Sequence, residues 1–287
     1  MRTEDADIAG LFPRMDLSRR GFVVTSLATG FALSVTPAKA TITTDTDGLE
    51  AGEVKIPVAD GEVPAYRAQP AKGGPFPTVI VVEEVFGVHE HIKDLCRRLA
   101  KSGYLAIAPE LYARLGDVVH MEKMDDVIAT VNKLKDEQAL SDLDATVTWL
   151  AKHDGKVDHL GITGFCRGGR MVWMYAAHNP KLKAGVAWYG PLKGKVTEAF
   201  PTHPVDIAET LKVPVLGLYG GLDKGIGQDQ IDEMKAKLAK IDSKSEFIVY
   251  PDAQHGFNAD YRESYNATDA ADGWKRMLDW FKANGVG

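Results

Sequence analysis

Cysteine is almost missing from this sequence. Cys96 and Cys166 are the only two in 287 residues. That is too few for the disulfide framework of a small secreted scaffold, and no Cys-x-x-Cys pair suggests a thiol oxidoreductase. Positive charge is also in short supply. With a net charge of −6 and no basic stripe interleaved with aromatics, the chain carries no footprint for nucleic acid. Internal repeats and low-complexity blocks are absent, which excludes solenoids and tail-like segments. The apolar run at 22–35 is shorter than the roughly 20 residues that span a bilayer, so no stable membrane anchor is expected. Neither a Rossmann nor a P-loop fingerprint occurs, and no cofactor is expected. His89-Glu90-His91 is not a metal site on this reading: histidines two apart on a helix face different ways, and His-Glu-x-x-His spacing is lacking.

What is present begins with a sorting signal. Ser18-Arg19-Arg20-Gly21-Phe22-Val23 sets a twin-arginine pair before the apolar run, and Ala38-Lys39-Ala40 is a small-x-small cleavage site. That order is an export signal of the twin-arginine kind, with Met15 an alternative start. The expectation is a signal peptide over 1–40, passed by the twin-arginine export machinery, and one α/β domain over 41–287. The mature chain is then periplasmic or secreted, and a monomer. An oxidising compartment would also allow a Cys96–Cys166 disulfide, in competition with any chemistry at Cys166.

Beyond residue 53 the hydrophobic pattern alternates between two periods. Residues 53–58 and 63–68 read as a hairpin, and the β-branched run at 78–82 as a buried central strand. Helical spacing over 89–102 puts Ile92, Leu95, Cys96 and Leu99 on one face, so Cys96 reads as core. A strand at 104–108 precedes helices over 121–133 and 138–152. After a strand at 159–163 comes a glycine-rich turn, then a helix from near Gly168. A strand at 184–189, a loop at 191–211, a strand at 213–219, a helix at 229–239, a strand at 246–250 and a helix at 269–282 complete the chain. Strands alternating with helices imply a mostly parallel sheet covered on both faces, with ligands bound at the carboxyl ends of the strands.

Those strand ends carry the reactive residues. Gly164-Phe165-Cys166-Arg167-Gly168-Gly169 has the form of a nucleophile elbow with cysteine where serine is commoner. Such a turn forces strained angles on its central residue and sets it at a helix N-terminus, where amide groups favour a thiolate. Asp223 follows Gly220-Gly221 after the 213–219 strand, and His255 follows the 246–250 strand. A histidine before glycine or an aspartate after two glycines is ordinarily a loop residue. Nucleophile, acid and histidine in that order after successive strands is the order of the α/β-hydrolase fold.

With these residues in view the chain resembles the dienelactone hydrolase family over residues 53–285. Four motifs carry the likeness: Glu83-Glu84-Val85-Phe86-Gly87, Pro109-Glu110-Leu111-Tyr112-Ala113-Arg114, the elbow, and Gln254-His255-Gly256-Phe257. The resemblance implies Cys166 as nucleophile, His255 as base and Asp223 as its orienting acid. It implies Glu84 as a glutamate that pairs with an arginine at rest and shifts towards the thiol when substrate binds. It also implies Arg114 as a contact for the substrate carboxylate. A second family arginine, four residues past the histidine, is replaced by Ala259, and Arg262 is the candidate to stand in. Backbone N–H groups of Val85 and Arg167 are expected to hold the oxyanion. The Arg167 side chain is read as an anion contact or a solvated helix-start residue, and Glu83 as a bystander. The expected activity is hydrolysis of a small lactone or ester. A broad carboxylesterase and a non-catalytic or redox binding protein remain as alternatives.

Overall fold

A computed structural model describes residues 42–287. The arginine pair, the apolar run and the Ala38-Lys39-Ala40 site lie outside the described residues. Eight strands form one sheet: β1 (Leu49–Val58), β2 (Gly61–Pro70), β3 (Phe76–Val82), β4 (Leu105–Pro109), β5 (Gly155–Phe165), β6 (Ala184–Trp188), β7 (Val215–Gly220) and β8 (Glu246–Tyr250). Their spatial order is β1-β2-β4-β3-β5-β6-β7-β8. The first two strands form a hairpin in which β2 alone runs antiparallel to the other strands, and all pairings from β4 to β8 are parallel. Seven helices complete the described fold: α1 (Glu90–Lys101), α2 (Met124–Val131), α3 (Asp136–Leu150), α4 (Arg167–His178), α5 (Pro204–Ile207), α6 (Gln228–Ala239) and α7 (Ala267–Ala283).

The sequence explains the layering. Strands β4, β6 and β7 are buried at every position, as continuous apolar runs must be when both faces of a parallel sheet are covered. The edge strand β1 instead mixes exposed residues with half-buried ones and the buried Ile56, the pattern of a strand with one wet face. Phe165 stacks on Trp188 at 5.5 Å between ring centroids, where the ends of β5 and β6 meet. Burying an aromatic of this size contributes about 1.5–3 kcal/mol, and here it also fixes the floor beneath the elbow.

Several element bounds differ from the periodicity. β5 starts at Gly155 because its exposed first residues still pair with β3, although they lack an apolar pattern. The expected 121–133 helix is confined to Met124–Val131, preceded by a 3₁₀ turn at Val118–His120. The expected loop at 191–211 contains α5, whose start is fixed by Asp206 accepting from the His203 N–H at 2.8 Å. Cys96 lies fully buried in α1, and neither Cys96 nor Cys166 is in a disulfide. The disulfide alternative therefore has no counterpart in the structure.

Candidate active site

Register brings the strand ends together. Val82 of β3 pairs with Gly164 of β5, Phe165 with Trp188 of β6, and Gly220 of β7 with Tyr250 of β8. The turn from β5 into α4 leaves no room for a side chain on either flank of Cys166. A Cβ on Gly164 would lie 2.3 Å from the Gly168 carbonyl oxygen, and one on Gly168 would lie 2.3 Å from that of Val82. Cys166 itself holds φ 53°, ψ −119°, a left-handed conformation that costs about 1–3 kcal/mol and persists only where its surroundings impose it. Its N–H donates to the Trp188 carbonyl at 3.0 Å, and its carbonyl accepts from Arg170 at 3.1 Å to open α4. The sulfur thus stands at the N-terminus of a twelve-residue helix, where the helix dipole favours negative charge.

Asp223 and His255 meet across the next two strand ends. The Gly221 and Leu222 amides donate to Tyr250 and Ala253 carbonyls at 2.7 and 2.9 Å, which ties the loop after β7 to the loop after β8. One Asp223 oxygen accepts from the Gly225 and Ile226 amides at 2.8 and 3.2 Å. The other lies 2.7 Å from His255 Nδ1. The carboxylate is thus oriented before it meets the ring. Burial works against a charge on His255, but the Asp223 carboxylate and then Cys166 outweigh it, and the imidazole pKa lies well above its usual range. The remaining nitrogen, Nε2, is buried without a partner at ordinary hydrogen-bond geometry, while the ring lies within electrostatic reach of Cys166. By contrast, burial pushes the Cys96 thiol far up.

The loop after β3 forms the opposite wall. A Cβ on Gly168 would come within 2.6 Å of the Glu83 carbonyl oxygen, so the start of this loop lies against the elbow. Glu84 is 1% exposed; one of its oxygens accepts a short hydrogen bond from the Tyr261 hydroxyl and the other has no partner. Glu83 is equally buried and is no bystander. It accepts from the Leu111 amide at 2.9 Å, while Glu110 accepts from the Val88 amide at 2.6 Å, so two carboxyls clasp the loops after β3 and β4 reciprocally. Burial and then the neighbouring Glu110 raise the Glu83 pKa well above the usual carboxyl range; Glu110 is also raised, chiefly by burial.

The three arginines take different places. Arg262 Nη1 is buried without a partner and lies 2.8 Å from where a Gly256 Cβ would be, beside His255. Tyr261, Glu84 and Cys166 all hold its charge in place against burial. Arg114 instead forms short ion pairs with Asp60, in the β1–β2 turn, and Asp142 of α3. The Arg167 side chain is neither solvated nor aimed at the thiol: it is 5% exposed and donates to the Val131 carbonyl and Asn132 side chain at 3.2 and 2.6 Å. The end of α2 supplies both acceptors, and spacing alone does not reveal that this helix end lies beside Arg167.

Sequence reasoning missed two tyrosines. Tyr189, at φ 38° directly after β6, packs its ring on His255 at 5.1 Å; its hydroxyl is buried without a partner. A search of every strand end would have found it. Tyr261 carries no such signal, because it sits in an irregular loop six residues past His255.

Eight strands, helices on both faces and this ordering of residues at the strand ends define an α/β hydrolase. The profile of the Dienelactone hydrolase family matches residues 63–285, and the chain belongs to that family. It is 58% identical over 291 residues to a Methylorubrum extorquens protein named, as a provisional assignment, carboxymethylenebutenolidase, with both chains covered completely. A protein of the same name from Escherichia coli O157:H7 is 52% identical over 266 residues, 92% of this chain and 98% of that one. The crystal structure of a provisionally assigned dienelactone hydrolase from Klebsiella pneumoniae matches with a TM-score of 0.80 at 54% identity, over 82% of this chain and 98% of the other. Family and relatives make this protein a hydrolase enzyme.

Proposed function

We propose that the enzyme opens a small activated lactone, of the kind the carboxymethylenebutenolidase name denotes, or cleaves a small ester through a thioester on Cys166. The observation that carries this reading is the 2.7 Å contact between Asp223 and His255 Nδ1, which leaves Nε2 for the elbow cysteine. His255 takes the thiol proton and the sulfur attacks the carbonyl carbon. The oxyanion is held by the Val85 and Arg167 amides, donors worth about 2.7–4 kcal/mol of barrier each. Collapse breaks the acyl C–O bond, and the imidazolium returns its proton to the leaving enolate or alkoxide. Water, deprotonated by His255, then cleaves the thioester and restores the thiol. Arg262 is the contact for a substrate carboxylate.

A broad carboxylesterase is the second reading, favoured by the pairing of Arg114 with Asp60 and Asp142, which leaves one fewer cation for an anionic lactone. The test is hydrolysis of a dienelactone and a p-nitrophenyl acetate series by the chain from Thr41, beside Cys166→Ala and Cys166→Ser. Loss of activity in Cys166→Ala supports the thiol route, and the ratio of lactone to ester rates separates the two substrate readings. Equal rates in parent and Cys166→Ala favour the binding or redox alternative. Residues 1–40 are proposed as a twin-arginine export signal leading to the periplasm or medium. Retention of an Arg19→Lys, Arg20→Lys precursor in the cytoplasm tests that, and unaltered export contradicts it.

A further inference from the structure

The His89-Glu90-His91 run holds no evident place in the reaction above, yet both its histidines lie beside the elbow. His91 Nδ1 lies 2.9 Å from Asp260 Oδ1, and both side chains are almost fully buried. This is a second histidine–aspartate pair. Asp260 is tied further by the Ile42 amide at 2.9 Å and Arg98 at 3.3 Å, so the residue just before Tyr261 is pinned from three directions. The Tyr261 ring is boxed in by imidazoles, with His89 at 4.8 Å and His91 at 5.3 Å, and by Phe86 at 6.4 Å between centroids. Its hydroxyl meets Glu84.

We propose that Tyr261 is a positioning residue for the thiol chemistry, its hydroxyl fixing the Glu84 carboxylate beside Cys166 and its ring held in that pose by the buried His91–Asp260 pair. The inference rests on the proposed role of Cys166. A phenol is the donor here, where the family resemblance leads one to expect an arginine. Arg262 lies near both Glu84 and Cys166 but forms no hydrogen bond with Nη1, which leaves its fork for substrate. A neutral donor steadies the carboxylate without adding positive charge. Tyr189, Arg262, His89 and Cys166 also face this pair, and His255 lies across the thiol. Burial, and then His91, push His89 down to about 4, so at neutral pH it packs against Tyr261 as an uncharged ring. Arg98 faces the Asp260 side.

The test is Tyr261→Phe, which keeps the ring packing and deletes only the donor. The pH dependence of kcat/KM is followed together with the rate at which iodoacetamide alkylates Cys166, read by peptide mass with buried Cys96 as internal control. The expected result is a roughly tenfold loss of kcat/KM, the usual worth of a hydrogen bond to a charged group. The alkylation rate of Cys166 should change by a comparable factor, because the Glu84 carboxylate beside it is no longer fixed by its donor. In a Glu84→Gln background the same change should have no further effect, since the two residues act as a unit. His91→Gln should lower kcat/KM by less, with the hydroxyl still present. A Tyr261→Phe enzyme that keeps kcat/KM within twofold across pH and an unmoved alkylation profile overturns the proposal, as does full additivity with Glu84→Gln. Failure of the thiol mechanism is read separately, as activity surviving Cys166→Ala.

Discussion

The two walls of the site are built differently. On one, Cys166, Asp223 and His255 each follow a parallel strand: backbone groups hold Cys166 and Asp223, and Asp223 holds His255. On the other, buried Glu83 and Glu84 and half-buried Glu110 and Tyr261 join loops far apart in sequence. Several atoms there have no partner. The first wall is placed by the sheet register. The second is held by side chains whose protonation bears on their placement, and this is where adjustment to substrate can enter. On the proposed mechanism the reacting groups follow the parallel strands, and the groups proposed to tune them lie on loops joined by side chains.

The comparison can be broken most forcefully on the first wall. His255→Ala should lower kcat by about 10⁴-fold, and Asp223→Asn by about 10²–10⁴-fold, with thermal stability little changed for the latter. Asp223→Asn should also bring the His255 titration down, because the carboxylate is the leading cause of its elevation; proton NMR of the imidazole reads this. The sign follows from linkage. A histidine raised by a carboxylate contributes stability below its ordinary pKa near 6.5 and loses it as pH rises through the folded value.

On the second wall the expected effects are smaller. Glu83→Ala, which deletes the acceptor for the Leu111 amide, should reduce kcat about tenfold or more with KM nearly constant, since a small misplacement of the Val85 loop weakens transition-state contacts. Glu83→Gln keeps the acceptor and mimics the protonated acid, so kcat should stay near the parent value. Its stability should exceed the parent's at alkaline pH. A carboxyl raised in the folded state favours folding at low pH and loses that contribution as pH rises above the unfolded value near 4.3, and glutamine abolishes the loss. Thermal melts from pH 4 to 9 check this, and parallel melting curves for parent and variant would remove the buried clasp from the account.

The smallest effects concern the arginines. Arg262→Ala should raise KM for a carboxylate-bearing lactone about tenfold while leaving a neutral ester within about threefold. Arg114→Ala should leave both within twofold and lower the melting temperature by a few degrees, as its partners Asp60 and Asp142 lose their cation. A large KM effect at Arg114 would reverse the roles of these two residues.

Much of the first wall could be read directly in the sequence. Gly164 and Gly168 announce the elbow because a side chain at either would strike backbone, and strand periodicity puts Asp223 and His255 after strand ends. The second wall was less legible. Glu83 and Glu84 are adjacent and look alike on paper; only tertiary packing sends one to the Leu111 amide and the other to Tyr261. Asp260 meets His91 across 169 residues of chain, a separation over which no local pattern operates. Arg114 and Arg167 each resemble an anion contact until Asp60, Asp142 and the end of α2 are seen to engage them.

The most direct test of the central claim is to catch the acyl group on its nucleophile. The chain from Thr41 would be mixed with p-nitrophenyl acetate, quenched in acid within the first turnovers and digested, and the peptide containing Cys166 weighed. An added acetyl mass on Cys166 that hydroxylamine discharges is the expected result, absent in Cys166→Ala. Turnover by Cys166→Ala at the parent rate, or an acetyl group confined to another residue, would contradict it.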